Sequence, residues 1–202
     1  MTTLGNHQLA SPLLAEKADA LRASSLFTNP SHDSEMAEKQ SIFLVLAGLK
    51  PVSKASSCHW EPTQNGRRTV FDDPKEVAAF LESLGLSYQL RHDEHATDAL
   101  ISLNAELLVE YSRATGIANE ESYSTVGKLF GYPATAAEAF AHYAVGDEEK
   151  YLLAAEEQDK IEHEGGLGEK YCVNFRFSKA HWPEELKTCL QWQEVLQLYS
   201  LL

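Results

Sequence analysis

Two histidines three residues apart, His92 and His95, stand in the run Arg91-His92-Asp93-Glu94-His95, with Asp98 close behind. Imidazole nitrogens and carboxylate oxygens are donors that zinc and other borderline ions prefer. A helical metal site places its histidines four apart, because those project from one face. Here the spacing is three and the run reads as a polar turn. A solvated turn is therefore preferred to a metal site at His92, His95 and Asp98, and no metal or cofactor is expected.

Cys58-His59-Trp60 sets a thiol beside an imidazole. Cysteine catalysis needs a thiolate, which a nearby imidazolium stabilises. Sequence neighbours seldom face each other, so Cys58 would need a remote partner such as His142 or His181. Cys58 and His181 are the catalytic candidates. A small hydrolase or transferase built on Cys58, His92, His95 and His181 is the alternative functional reading. The competing account of Cys58 is a small apolar residue beside Trp60.

A third group is Arg176, Ser178, Lys179 and His181, with Glu184 and Glu185 following. It falls where a predicted strand ends and the last predicted helix begins. Strand ends fix loop residues in place, and helix N-termini favour anions. An anionic ligand is expected here if one binds at all. The plainer account has Glu184 and Glu185 serving the helix dipole and His181 solvated.

The stretch 147–164 holds eight acids against Lys150 and Lys160, so it carries −6 of the chain's −13. Glu156, Glu157 and Asp159 are the residues expected to meet a basic partner; a solvated face explains the same run. Gly127-Lys128-Leu129-Phe130-Gly131 lacks the length and the Gly-Lys-Ser/Thr ending of a phosphate loop.

These residues need elements to position them. Ser11 and Pro12 open a helix in which Leu14, Ala18 and Leu21 share a stripe. A second helix runs from about residue 34 to Ala47, where Gly48 ends it. Its run Ile42-Phe43-Leu44-Val45-Leu46 is apolar all round, so it is buried on several sides or covered by a partner. The stretch 52–70 reads as a loop or an irregular hairpin. Asp73, Pro74 and Glu76 open a helix with Val77, Phe80, Leu81 and Leu84 on one face, stopped by Gly85. Two strands, 86–91 and 99–103, predict a hairpin. Asn104 and Asn119 cap further helices, Pro133 starts another, and Asp147 opens one that Gly165-Gly166 stops. From 171 to 178, Tyr171, Val173, Phe175 and Phe177 alternate with polar residues, as in a half-buried strand. Pro183 opens the last helix. The expected fold is a helix-rich α+β domain over 34–202, with a small mixed sheet made of the hairpin near 86–103 and the strand 171–178. Residues 1–33 read as a helical appendage.

Length and charge bound the function. At 202 residues the chain can bury a core without metal or disulfide support. Seventeen basic residues against 30 acidic ones argue against nucleic-acid or anionic-membrane partners, and the only adjacent basic pair is Arg67-Arg68. Cys58, Cys172 and Cys189 form no C-x-x-C, which suits a reducing compartment. The first residues carry no basic stretch followed by a long apolar run, so no signal peptide is expected. A cytoplasmic, non-catalytic binding or regulatory protein is the leading expectation. It would recognise a protein partner through an apolar patch and the acidic helix.

Overall fold

The computed structural model describes residues 11–28, 36–64, 66–93, 97–146, 150–168, 171 and 175–202. Among them the chain order is α1 (Pro12–Ala23), α2 (Ala37–Leu46), β1 (Val52–Ser56), β2 (Cys58–Thr63), β3 (Gly66–Phe71), α3 (Pro74–Ser83), β4 (Ser87–His92), β5 (Thr97–Ser102), α4 (Ala105–Thr115), α5 (Glu120–Leu129), α6 (Ala134–Ala144), α7 (Ala155–Glu164) and α8 (Trp182–Leu198). This is the helix-rich α+β fold that the sequence predicts. Three helices begin at the expected caps. Asp73 Oδ1 accepts from Lys75 N–H at 2.8 Å, Asn104 Oδ1 from Glu106 N–H at 3.0 Å, and Asn119 Oδ1 from Ser122 N–H at 2.8 Å. Each such cap stabilises its helix by about 1 kcal/mol.

The sheet runs β1-β5-β4, with Lys54 opposite Leu100 and Leu90 opposite Ala99. A separate hairpin pairs β2 with β3, setting His59 opposite Val70. The predicted hairpin near 86–103 is therefore β4–β5. The stretch 52–70 resolves into β1 and most of the β2–β3 hairpin. Helix α2 lies against β1 and α8. Ile42, Phe43, Leu44 and Val45 are fully buried there, and Phe43 meets Tyr199 with ring centroids 4.9 Å apart. The all-round apolar helix is thus covered by the chain's own core.

The sheet departs from expectation in one respect. Among the described residues every ladder is antiparallel, and neither Tyr171 nor the residues 175–178 form a strand of it. Val173, with Cys172 and Asn174, lies outside the described residues. In the described part Phe175 and Phe177 are buried and Arg176 is exposed as predicted, whereas Ser178, expected on the polar face, is buried. The backbone partners differ, however. The Gln158 amide bridges this segment, donating through Nε2 to the Phe175 carbonyl at 2.9 Å and accepting from Phe177 N–H through Oε1 at 2.8 Å. Leu153 N–H donates to the Phe177 carbonyl at 2.9 Å, and Lys179 N–H to the Tyr151 carbonyl at 2.8 Å. Among the described residues of the segment, a single antiparallel bridge joins Ser178 to Leu152. Partners from the stretch 151–158, distant in sequence, thus occupy the groups that a ladder would have used.

The acidic helix is also shorter than predicted. It begins at Ala155, because residues 150–154 are occupied in pairing with 177–179 and burying Leu152 and Leu153. Asp147 lies outside the described residues. At the other end of the chain, α1 and the turn after it place Ala18, Leu21 and Phe27 in the main core cluster. Phe27 adopts φ 57°, an unusual conformation for an aromatic residue, and its N–H donates to Ser57 Oγ at 3.0 Å. Lys39 Nζ donates to the Ser24 carbonyl at 2.6 Å.

Candidate functional site

The β2–β3 hairpin and the residue after it gather the first set of titratable groups. Asp72, buried, lies with Oδ1 2.7 Å from His59 Nδ1, and its Oδ2 accepts from Ser57 Oγ at 2.6 Å. Thr97 Oγ1 donates to the Asp72 carbonyl at 2.9 Å and lies 2.7 Å from His92 Nδ1. Cys58 is buried beside this network. Burial, with the negative charges of Asp72, Glu38 and Asp98, pushes its thiol up to about 11. At neutral pH it is a thiol and a poor nucleophile.

The turn candidates do not converge. His92 faces Thr97 across the β4–β5 ladder, whereas Asp98 faces Arg91 one position on. Their side chains therefore leave opposite faces of the hairpin. Asp98 instead pairs with Lys54 Nζ at 2.7 Å and accepts from Ser56 Oγ at 2.6 Å. His95 lies outside the described residues. Among the described residues there is no group of three or more His, Cys, Asp or Glu side chains placed to hold a metal ion.

The junction before α8 is built around a carboxylate. Glu185, fully buried, accepts from Ser178 N–H at 2.7 Å, from Ser178 Oγ at 2.6 Å and from Thr135 Oγ1 at 2.6 Å. Ser178 Oγ also accepts from His181 N–H at 3.1 Å. Ser178 is thus tied into the fold, and Glu185 fastens the 178–181 turn to α6. His181 borders a shallow cleft with His142, Lys150, Tyr151 and Lys179. His142 stacks on Tyr151 with ring centroids 4.6 Å apart. Hydrogen bonds join His59 and His92 to the Asp72 network, whereas His181 joins the Glu185 network through its backbone N–H.

A different cavity is lined mainly by apolar side chains. It lies between α5 and α6, has a volume of about 290 Å³, and is walled by Tyr123, Val126, Phe130, Tyr132, Phe140 and Phe175. Among the described residues, Arg176 is the one charged side chain at its lining. Local sequence sets the geometry. A Cβ on Gly127 would sit 2.8 Å from Ala137 Cβ, so glycine lets α5 and α6 touch. Gly131 turns the chain at φ 78°, and a Cβ there would meet the Leu49 carbonyl at 2.9 Å. That turn places Phe130 and Tyr132 side by side, 5.9 Å between centroids, with Phe175 5.1 Å beyond Tyr132. Behind the wall, Lys50 Nζ lies 5.7 Å from Phe130, 5.9 Å from Tyr132 and 5.6 Å from Trp192. Burial lowers its ammonium to about 8, with Glu38 opposing the shift.

Beside this cavity the C-terminal part of α6 exposes Phe140, Tyr143 and Val145, and the two rings lie 6.1 Å apart. Tyr143 also lines a smaller cleft with Leu152, Leu153, Ala154, Ala155, Arg176 and Lys179. That cleft abuts the N-terminus of α7, where Glu156, Glu157 and Asp159 are exposed. Arg176 donates through Nη2 to the Leu153 carbonyl at 2.6 Å, which fixes it between the two cavities.

Comparison with known proteins finds no matching family model, no matching curated protein and no matching solved structure. The site residues that the sequence does not single out are Tyr123, Phe130, Tyr132, Phe140 and Lys50. Each reads as a core stripe or a solvated lysine. The available signal was the pair of aromatics flanking Gly131, a turn glycine with a bulky ring on either side.

Proposed function

We propose that this chain is a non-catalytic binding or regulatory protein that recognises a protein partner. One observation carries the reading: the exposed ring of Tyr143, 6.1 Å from that of exposed Phe140, borders a cleft that includes Ala155 at the start of the acidic helix α7. An apolar patch of this kind, bordered by fixed charge, suits docking by side-chain burial with electrostatic steering. A partner with an apolar side chain next to basic residues fits it. The net charge of −13 disfavours a nucleic-acid partner. No helix among the described residues is long and apolar enough to cross a membrane. The dispersed cysteines accord with a cytoplasmic location.

The test places a photoreactive benzophenone side chain at position 140 in living cells. A discrete protein adduct is expected, and charge reversal by Glu156→Lys, Glu157→Lys and Asp159→Lys together should remove it. No adduct, or an adduct indifferent to the triple reversal, would sink the reading. The alternative, a small hydrolase or transferase, has one observation in its favour. Buried Asp72 holds His59 at Nδ1, the arrangement that orients a general base. Cys58 offers it no thiolate nucleophile.

A further inference from the structure

We infer that the cavity between α5 and α6 is a small-molecule site for an apolar carboxylic acid, with its hydrocarbon among Tyr123, Val126, Phe130 and Phe140 and its carboxylate on Arg176. This goes beyond protein docking and does not rest on it. Three features of the cavity set the ligand class.

The first is size. A space of about 290 Å³ matches roughly ten heavy atoms, taking about 30 Å³ for each water-sized unit. That admits a phenylalkyl or medium-chain group and excludes a nucleotide. The second is the lining. Aromatic and aliphatic walls with one fixed polar group are the usual make-up of a small-ligand pocket. The walls are held open by their own packing. Phe130 leans on Tyr111 at 5.5 Å between centroids, and Phe175 packs edge-on against Trp192 at 6.1 Å. A cavity among loosely held side chains would collapse; these rings are braced from behind.

The third feature is charge. Arg176 spends one donor on the Leu153 carbonyl, and that bond orients its planar fork. The remaining N–H groups match a carboxylate, which accepts two parallel hydrogen bonds. A cation would be repelled there. A phosphate would set two charges against one guanidinium. A neutral hydrocarbon would leave the arginine unused.

Titration calorimetry of the intact protein with 4-phenylbutanoate and octanoate, against 4-phenylbutanol and octanol, tests the assignment. Both acids should bind roughly tenfold tighter than their alcohols, the effect of a charge-assisted pair. Arg176→Met should erase that preference while leaving the apolar binding. Phe140→Ala removes a half-exposed wall and should weaken acid and alcohol alike. Equal binding of acid and alcohol by the unmodified protein would overturn the carboxylate assignment. No heat from either class up to about 1 mM would overturn the site itself. Because the protein-docking reading is judged by cross-linking, neither failure bears on it.

Discussion

Lys50 behaves unlike a surface lysine. Its ammonium is enclosed by three rings, with Ser41 Oγ and Ser53 Oγ each 3.3 Å away as acceptors. Desolvation lowers its pKa from 10.5 to about 8. Between those two values the unfolded chain holds a proton that the folded chain has released. Stability from this residue therefore rises with pH across that window, by up to about 3 kcal/mol. Cys58, Tyr132, Tyr171 and Cys189 act the other way. Burial raises each, so the folded chain keeps protons that the unfolded chain loses at alkaline pH. A difference measurement isolates the lysine. Lys50→Met should gain stability relative to the unmodified chain at pH 7, and urea denaturation should find that gain shrinking towards pH 10. A gap that stays constant from pH 7 to 10 would show that the ammonium is not desolvated.

Among the elements, the segment before α8 depends on a side chain in α7. Gln158→Leu would leave the Phe175 carbonyl and the Phe177 N–H without their partner in a buried setting. At about 1–3 kcal/mol for each orphaned group, thermal unfolding should move down by several degrees. An unchanged midpoint would mean that water or a backbone shift replaces the amide. The same segment explains what was legible from sequence. Caps at Asp73, Asn104 and Asn119 could be read because capping is local, a matter of two or three residues. The β4–β5 hairpin could be read because its strands are neighbours. The alternation from 171 to 178 correctly gave the burial of Phe175 and Phe177, but burial does not say who takes the hydrogen bonds. Here the partner is an amide 17 residues upstream, and no periodicity encodes it. The aromatic cavity was illegible for a related reason. Its walls come from α5, the Gly131 turn, α6 and residue 175, and each ring alone fits an ordinary core stripe.

On the scale of the whole molecule, the question is how far the core extends towards the N-terminus. The sequence separates residues 1–33 from the domain, and on that reading a chain lacking residues 1–30 should still fold. The fully buried Leu21 and Phe27 lead to another expectation. Their removal would uncover Phe80, whose ring centroid lies 6.3 Å from that of Phe27, and would leave Ser57 without its backbone donor. Losing two such side chains costs at least about 3 kcal/mol. Calorimetric scanning of a 31–202 chain should then show a lowered transition or none; a transition at the full-length temperature would establish the appendage. The contact of α5 with α6 at Gly127 has a consequence of another kind. Only the Ala137 methyl lies between the two backbones at that point, so the helices pack tightly, and Phe130 and Tyr132 are braced by Tyr111 and Phe175. An incoming molecule does not have to order them, so the entropic penalty of association falls mainly on the ligand. Stiff ligands should therefore outbind floppy ones of equal size.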